Sequence, residues 1–175
     1  MTGGAYRNGT ITSVKFERCA HTCVAVARGR STSMAATVRD AGYYLRAWVT
    51  IAGPGGSVGT WVTGAIGPIR SQTAGAAVLH PGAVTIRGSA GRPLARASAS
   101  WALVRAHQAG SSAHAAAVQA IRVGAIRGSL RAWVCVLDRA APAWCTAPMT
   151  VRRAATFSLA LRSGERAELI AVAPS

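Results

Sequence analysis

Two pairs of cysteines are the residues of this chain whose type and spacing most directly suggest chemistry. Cys19 and Cys23 enclose only the segment 20–22, while Cys135 and Cys145 flank a turn-like segment rich in Ala and Pro. If each pair faces across a hairpin, opposite residues have Cα atoms about 4.5–5.5 Å apart, which is within reach of a disulfide. Closing the short first loop contributes about 2 kcal/mol in the chain-entropy model. The spacing therefore predicts two local disulfides that fix the register of two hairpins.

A zinc site and free thiols are the alternatives to this pairing. Cys19, His21 and Cys23, joined by Cys135 and Cys145, would offer soft ligands to zinc. The spacing of the second pair is wider than the Cys-x2–4-Cys knuckle of structural zinc sites, so we predict no metal and no cofactor. An even number of cysteines in close pairs also favours an oxidising compartment, outside the cell or at its surface.

The segment 1–6 lacks the apolar core of a signal peptide. We expect a mature secreted chain that has been given a new Met, with a fragment or a cytosolic protein as the alternatives.

No group of acids, bases and nucleophiles converges in the sequence in a way that predicts catalysis. The histidines are scattered along the sequence. His107 and His114 could form a hydrolase-like cluster with Ser111 and Ser112, but the sequence has no Gly-x-Ser-x-Gly elbow. We therefore predict no catalytic residues, no enzymatic activity and no small-molecule substrate. A secreted hydrolase or inhibitor fragment is the weaker alternative. The acids have structural explanations instead, and we expect Asp40 to accept hydrogen bonds from backbone donors at a corner.

The charge of the chain indicates an affinity for polyanions. Twenty basic residues against five acidic ones give a net charge of +15, which attracts nucleic acid, anionic wall polymers or acidic lipid surfaces. The basic residues are spread along the chain rather than gathered into a tail. The polyanion-binding candidates are Arg28, Arg30, Arg152 and Arg153.

Alternating apolar and polar residues predict an all-β chain in two parts. The first part, 1–70, has strand patterns at 9–19, 23–27, 33–38, 44–51 and 57–66. A linker at 67–75 leads to a second part, 76–175, with strand patterns at 78–86, 95–106, 115–126, 130–137, 143–151, 156–161 and 166–172. The pentapeptide at 45–49 recurs at 130–134, which suggests a related second sandwich. We expect the strand tryptophans Trp48, Trp61 and Trp133 to anchor cores and Trp144 to pack on its neighbouring disulfide.

The uncharged stretch between Arg46 and Arg70 is long enough to cross a bilayer. The run Gly53-Pro54-Gly55-Gly56 would break a helix there, so we predict two strands joined by a turn and no membrane span.

A set of short motifs between Phe16 and Thr63 resembles a tandem immunoglobulin-like repeat of surface and secreted bacterial proteins. The motifs are Phe16-Glu17-Arg18-Cys19, Cys23, Ser31-Thr32-Ser33, Asp40-Ala41-Gly42, Leu45-Arg46-Ala47-Trp48-Val49-Thr50 and Gly56-Ser57. The chain departs from the repeat where Phe16 stands in place of Trp, where Met34-Ala35-Ala36 lacks the usual Tyr and Leu, and where Gly53-Pro54-Gly55 replaces an Asn-containing turn.

The resemblance implies a non-catalytic immunoglobulin-like β-sandwich that serves as a spacer, an adhesin part or a surface-layer element, and it transfers no binding residues. We thus predict two tandem antiparallel β-sandwiches, each with one local disulfide. The expected function is structural or adhesive, and polyanion binding is the alternative. The expected partners are other copies or surface proteins, bound through open strand edges, and anionic polymers.

Overall fold

Three antiparallel sheets make up the computed structural model, which describes residues 9–104, 116–139, 141–162 and 164–174. Sheet A has the strand order β2-β1-β3-β4. Its strands are β1 (Thr10–Cys19), β2 (Cys23–Gly29), β3 (Tyr44–Ala52) and β4 (Val58–Val62). A short 3-10 turn at Val38–Asp40 precedes β3, and another at Pro54–Gly56 connects β3 to β4.

The second half of the chain supplies the other two sheets. Sheet B has the order β10-β9-β13-β5, with β11 also paired to β9, and sheet C has the order β12-β8-β7-β6. The strands are β5 (Ala74–Val78), β6 (Gly82–Arg87), β7 (Pro93–Val104), β8 (Ala116–Ala125), β9 (Leu130–Asp138), β10 (Ala141–Cys145), β11 (Met149–Val151), β12 (Ala154–Leu161) and β13 (Arg166–Val172).

Sheets B and C face each other across the larger hydrophobic core. Alternate residues of their strands point inward, among them Ile86, Ile121, Val134, Phe157 and Leu169, and all five are buried. This arrangement follows from the period-2 pattern of the strands, which places every second side chain on the same face.

Strand β9 is buried on both faces. Ala132, Val134 and Val136 belong to the core shared with sheet C, whereas Trp133 and Cys135 belong to a second core with residues of sheet A. An almost continuous apolar run is what a strand between two layers requires. Sheet B is therefore the middle layer of the described molecule.

The predicted all-β fold is confirmed, with antiparallel sheets and one local disulfide in each half. The four strands of the first half lie in one sheet, and sheet B covers part of that sheet. No helix in the described part of the chain is long and apolar enough to cross a membrane.

Three predicted strands were wrong. The pattern at 143–151 is two strands, since β10 ends at Cys145 and β11 begins at Met149. Segment 33–38 is not a strand, because Thr37 caps the 3-10 turn that begins at Val38 and its hydrogen bonds go to Arg39 and Asp40. The pattern at 78–86 is two strands, since β5 belongs to sheet B and β6 to sheet C, and the chain crosses between sheets around Pro81. Pro81 cannot donate a ladder hydrogen bond, which suits a break between strands.

Both predicted disulfides are confirmed. Cys19 lies opposite Cys23 and Cys135 lies opposite Cys145, each pair with Cα atoms 4.0 Å apart. The second hairpin turns between Asp138 and Ala141, which are paired. A register shift between Pro142 and Trp144 then restores the alignment of the two cysteines, as a β-bulge does.

Candidate functional site

The contact between sheets A and B, here called the seam, gathers the chemically distinctive residues of the molecule. Cys19 and Tyr44 from sheet A pack with Trp133, Cys135 and Cys145 from sheet B in one buried cluster. Both disulfides therefore contribute to the same core, and each fixes a hairpin that forms one side of it.

A buried hydrogen bond crosses the seam. The Tyr44 hydroxyl donates to Oε2 of Glu168, and both residues are buried. Burial, reinforced by the hydrogen bond to this carboxylate, raises the pKa of Tyr44, because ionisation would place a second negative charge beside the first. The pair satisfies two polar groups that would otherwise be costly to bury.

The residues proposed as alternative zinc ligands are engaged elsewhere. The Cys19 and Cys23 sulfurs are bonded to each other, so neither is the thiolate that a zinc site needs. Nδ1 of His21 lies 2.9 Å from the carbonyl oxygen of Cys145. Among the described residues, the carboxylate of Glu17 is the only other possible metal ligand close to this pair. It already accepts hydrogen bonds from three side chains.

A structured corner brings the chain into β3. Asp40 accepts hydrogen bonds at Oδ2 from the Thr37 amide, at 2.7 Å, and from the Thr37 hydroxyl, at 2.9 Å. Its Oδ1 lies 3.7 Å from Arg18 Nη1. The prediction that Asp40 binds backbone donors at a corner is confirmed.

Gly42 ends this corner in tight contact with residues of sheet B. Its φ is +83°, and a Cβ atom there would lie 2.5 Å from Cγ2 of Val172 and 3.0 Å from the Trp133 ring. Only glycine combines this backbone conformation with so little space.

A basic pocket of about 320 Å³ opens at the seam beside this corner. Arg18, Arg39 and Arg131 line it together with Tyr43 and Trp133. The Arg18 guanidinium lies over the Tyr43 ring at 4.8 Å and donates to the Arg39 carbonyl at 2.8 Å. Three arginines from separate elements thus surround one opening.

A second polar cluster lies on the face of sheet A around Glu17. The carboxylate of Glu17 accepts hydrogen bonds from Lys15, Arg46 and Trp48 at 2.7–2.8 Å. The hydrogen bond from Lys15, aided by those from Trp48 and Arg46, outweighs burial and lowers the pKa of Glu17 to about 2. Lys15 and Arg46 also lie 5.1 and 5.5 Å from the Trp48 ring centre. The cluster is held together by its own contacts.

The four arginines predicted to bind polyanions occupy two places. Arg28 lies on β2 and lines a shallow groove with Lys15 and Trp48, and Arg30 follows at the end of that strand. Arg152 and Arg153 form the exposed bend between β11 in sheet B and β12 in sheet C. None of the four lines the seam pocket. The hydrolase-like cluster of His107, Ser111, Ser112 and His114 lies outside the described residues.

Sequence reasoning missed the residues of the seam pocket and the burial of Glu168. Arg39 precedes the Asp-x-Gly corner, and Arg131 lies inside the repeated pentapeptide. Both residues therefore belong to motifs that can be recognised in the sequence. Their proximity depends on β3 and β9 lying in sheets that pack together, which no local pattern reveals. The one available signal for Glu168 is its place in the apolar run of β13.

Comparisons of the chain with protein-family models, with curated proteins and with solved structures found no match.

Proposed function

We propose that the chain is a non-catalytic structural or adhesive module of an extracellular or cell-surface protein. The observation that supports this most is the position of the two disulfides at the seam. Cys135, Cys145 and Cys19 are all buried there, so the bonds that fix the two hairpins also shape the surfaces that join the halves. Such staples persist in an oxidising compartment.

Open strand edges offer a means of assembly. Strand β2 is an edge of sheet A, and all seven of its residues are exposed. Val24 and Val26 leave 56% and 37% of their surface in solvent. An exposed edge with apolar side chains is a template for pairing with another chain, and we propose a second copy as its partner.

Two measurements test this function. The native chain is expected to be lighter than the reduced chain by four hydrogen atoms, and its thiols should not be alkylated before reduction. Val24→Lys is expected to weaken self-association in sedimentation equilibrium, whereas Ile126→Lys, a matched charge at an exposed aliphatic residue outside the strands, leaves it unchanged. Freely alkylated thiols in the folded chain, or equal effects of the two variants, would count against the proposal.

Polyanion binding is the second candidate function. It is favoured because acidic side chains neutralise few of the described basic residues. In the described part of the chain, ion pairs engage only Lys15, Arg18 and Arg46. The remaining described arginines keep their charge available to an external polyanion. Binding of single-stranded DNA should then fall steeply as salt rises, and a salt-independent affinity would exclude this mode.

A further inference from the structure

We propose that the seam pocket is a binding site for a single phosphate group, supplied as free phosphate or as part of a phosphodiester polymer. This goes beyond diffuse polyanion binding, because it assigns one group to one pocket formed by both halves of the chain. Two features of the pocket support it, its charges and its fixed arginine, and a tryptophan in its wall can report a bound ligand.

The charges of the pocket are not balanced by the protein. Arg18 is offset by Asp40 at 3.7 Å. Arg39 and Arg131 form no ion pair with any described residue, and both are exposed. The pocket therefore retains two uncompensated guanidinium groups that solvent can reach, and their positive potential attracts a negatively charged phosphate group.

Arg18 is held in place before any ligand arrives. Its guanidinium stacks on Tyr43 and donates to the Arg39 carbonyl, so little side-chain freedom remains to be lost on binding. Guanidinium groups bind oxyanions through paired N–H donors. The oxygens of a phosphate group point in several directions, whereas those of a carboxylate lie in one plane. A phosphate group can therefore contact arginines from three elements at once.

Trp133 forms part of the same wall and can report a ligand bound there. The residue lines the pocket and is only 1% exposed, and its Nε1 has no hydrogen-bond partner among the described residues. Because solvent does not reach this N–H, it serves as a probe of charge bound in the pocket rather than as a donor to the ligand.

The pocket wall also limits the size of the ligand. The Val38 side chain, 85% exposed, stands at its margin, and Ala41 and Val172 line it on the apolar side. A volume of about 320 Å³ holds a phosphate with a small substituent. Longer ligands would have to continue over Val38 into the adjoining groove, which shares Val38, Arg131 and Val172 with the pocket.

The test follows the indole N–H resonances of the ¹⁵N-labelled full chain by NMR during titration with inorganic phosphate. We expect a saturable shift of the Trp133 indole. The double variant Arg39→Gln/Arg131→Gln should weaken this binding by about tenfold or more, the loss expected for one or more charge-assisted hydrogen bonds. Arg96→Gln/Arg122→Gln removes the same charge from two exposed arginines of sheet C, outside the pocket, and should bind phosphate as the parent does.

A second arm uses a short single-stranded DNA in place of phosphate. A Trp133 shift with DNA but not with phosphate would identify the phosphodiester as the source. No saturable Trp133 shift with either probe, or equal losses in the two double variants, would overturn the pocket. Equal losses would still agree with diffuse polyanion binding, so the failures of the two ideas are distinguishable.

Discussion

The pairing of β1 with β3 places basic and aromatic side chains around the carboxylate of Glu17. In β1 it stands opposite Arg46 of β3, and Lys15 stands opposite Trp48. Cross-strand neighbours on one face of a sheet are close enough to interact directly. The four side chains therefore form a cluster that binds β1 to β3 at the centre of sheet A.

Glu17→Gln should remove the acid sensitivity that this cluster causes. The folded pKa is about 2, below the ordinary value of 4.5, so the stabilisation is complete above pH 4.5 and is lost as the pH falls towards 2. At neutral pH we expect a loss of about 1 kcal/mol, because Lys15 and Arg46 are about one-third exposed and solvent screens them. Urea unfolding at several pH values between 2 and 7 measures both effects.

Lys15→Gln provides the control, since it removes one cation and leaves the carboxylate. It should shift the acid transition to higher pH without abolishing it. An unchanged pH profile in Glu17→Gln would show that the cluster does not control acid stability.

Tyr44→Phe should destabilise the seam from within. The change removes the donor to Glu168 and leaves a buried carboxylate without its partner, at an expected loss of about 1–3 kcal/mol. Because the pKa of Tyr44 is raised, the parent loses stability as the pH rises past about 10, the ordinary tyrosine value, and the variant should lose less. Thermal unfolding at pH 7 and at pH 10.5 tests this.

Tyr43→Phe is the matched control, because Tyr43 lies next in the chain and has no described hydrogen bond from its hydroxyl to a carboxylate. Equal losses in the two variants would contradict a specific role for the Tyr44–Glu168 pair.

Single residues were predictable where their role is local. The corner role of Asp40 depends on Thr37, three residues away, and the sequence showed it. The tryptophans were less predictable: Trp133 is buried, whereas Trp48, in the same pentapeptide, lies in the polar cluster and Trp61 is 39% exposed. The identical pentapeptides differ because β9 is covered on both faces and β3 is not.

Among the elements, the corner at 37–42 determines how closely sheet A approaches sheet B. Its capping hydrogen bonds fix the 3-10 turn, and the Gly42 amide donates to the Ile69 carbonyl at 2.7 Å. The turn thus presents its glycine to β9 and β13 while Arg39 remains at the pocket.

Gly42→Ala should cost more than a glycine substitution at an open turn. Both Gly42 and Gly91 have positive φ, but only Gly42 lacks space for a methyl group. Positive φ costs about 1–2 kcal/mol for a non-glycine residue, and overpacking adds about 1–3 kcal/mol. Gly91→Ala measures the first contribution alone, so the difference between the variants in denaturant unfolding reports the crowding at the seam.

If both alanine variants lose the same stability, the close packing of Gly42 against Val172 and Trp133 would be wrong. A seam that is loosened by Gly42→Ala should also weaken phosphate binding in the pocket, whereas Gly91→Ala should not.

Hairpins were the most predictable elements, because the turn fixes the pairing of consecutive strands. The boundaries of β13 match the predicted 166–172, and both cysteine pairs face each other. Strand order was not predictable: β1 pairs with β3 and β13 lies between β9 and β5. These pairings join segments far apart in the chain, where turn chemistry gives no information.

At the scale of the whole molecule, the shared core at the seam should make unfolding cooperative. Residues of both halves bury one another in this cluster, so neither half keeps its full core alone. We expect a single thermal transition, with near-ultraviolet circular dichroism and calorimetry giving the same midpoint. Two resolved transitions would show that the halves unfold independently.

The general function class could be inferred from sequence only as far as composition and cysteines allow. The paired cysteines indicate an oxidising compartment, and the charge of +15 indicates a polyanionic partner. The seam pocket depends on which sheets pack together, so its three arginines could not be grouped from the sequence.

The locality of the two disulfides has a consequence for biosynthesis. Each joins cysteines only 4 or 10 positions apart, so each can close as soon as its own hairpin has emerged, without waiting for a distant segment. A mismatched bond would have to unite an early cysteine with one made more than a hundred residues later. If oxidation follows the order of synthesis, we expect the native pairs to form without reshuffling by an isomerase.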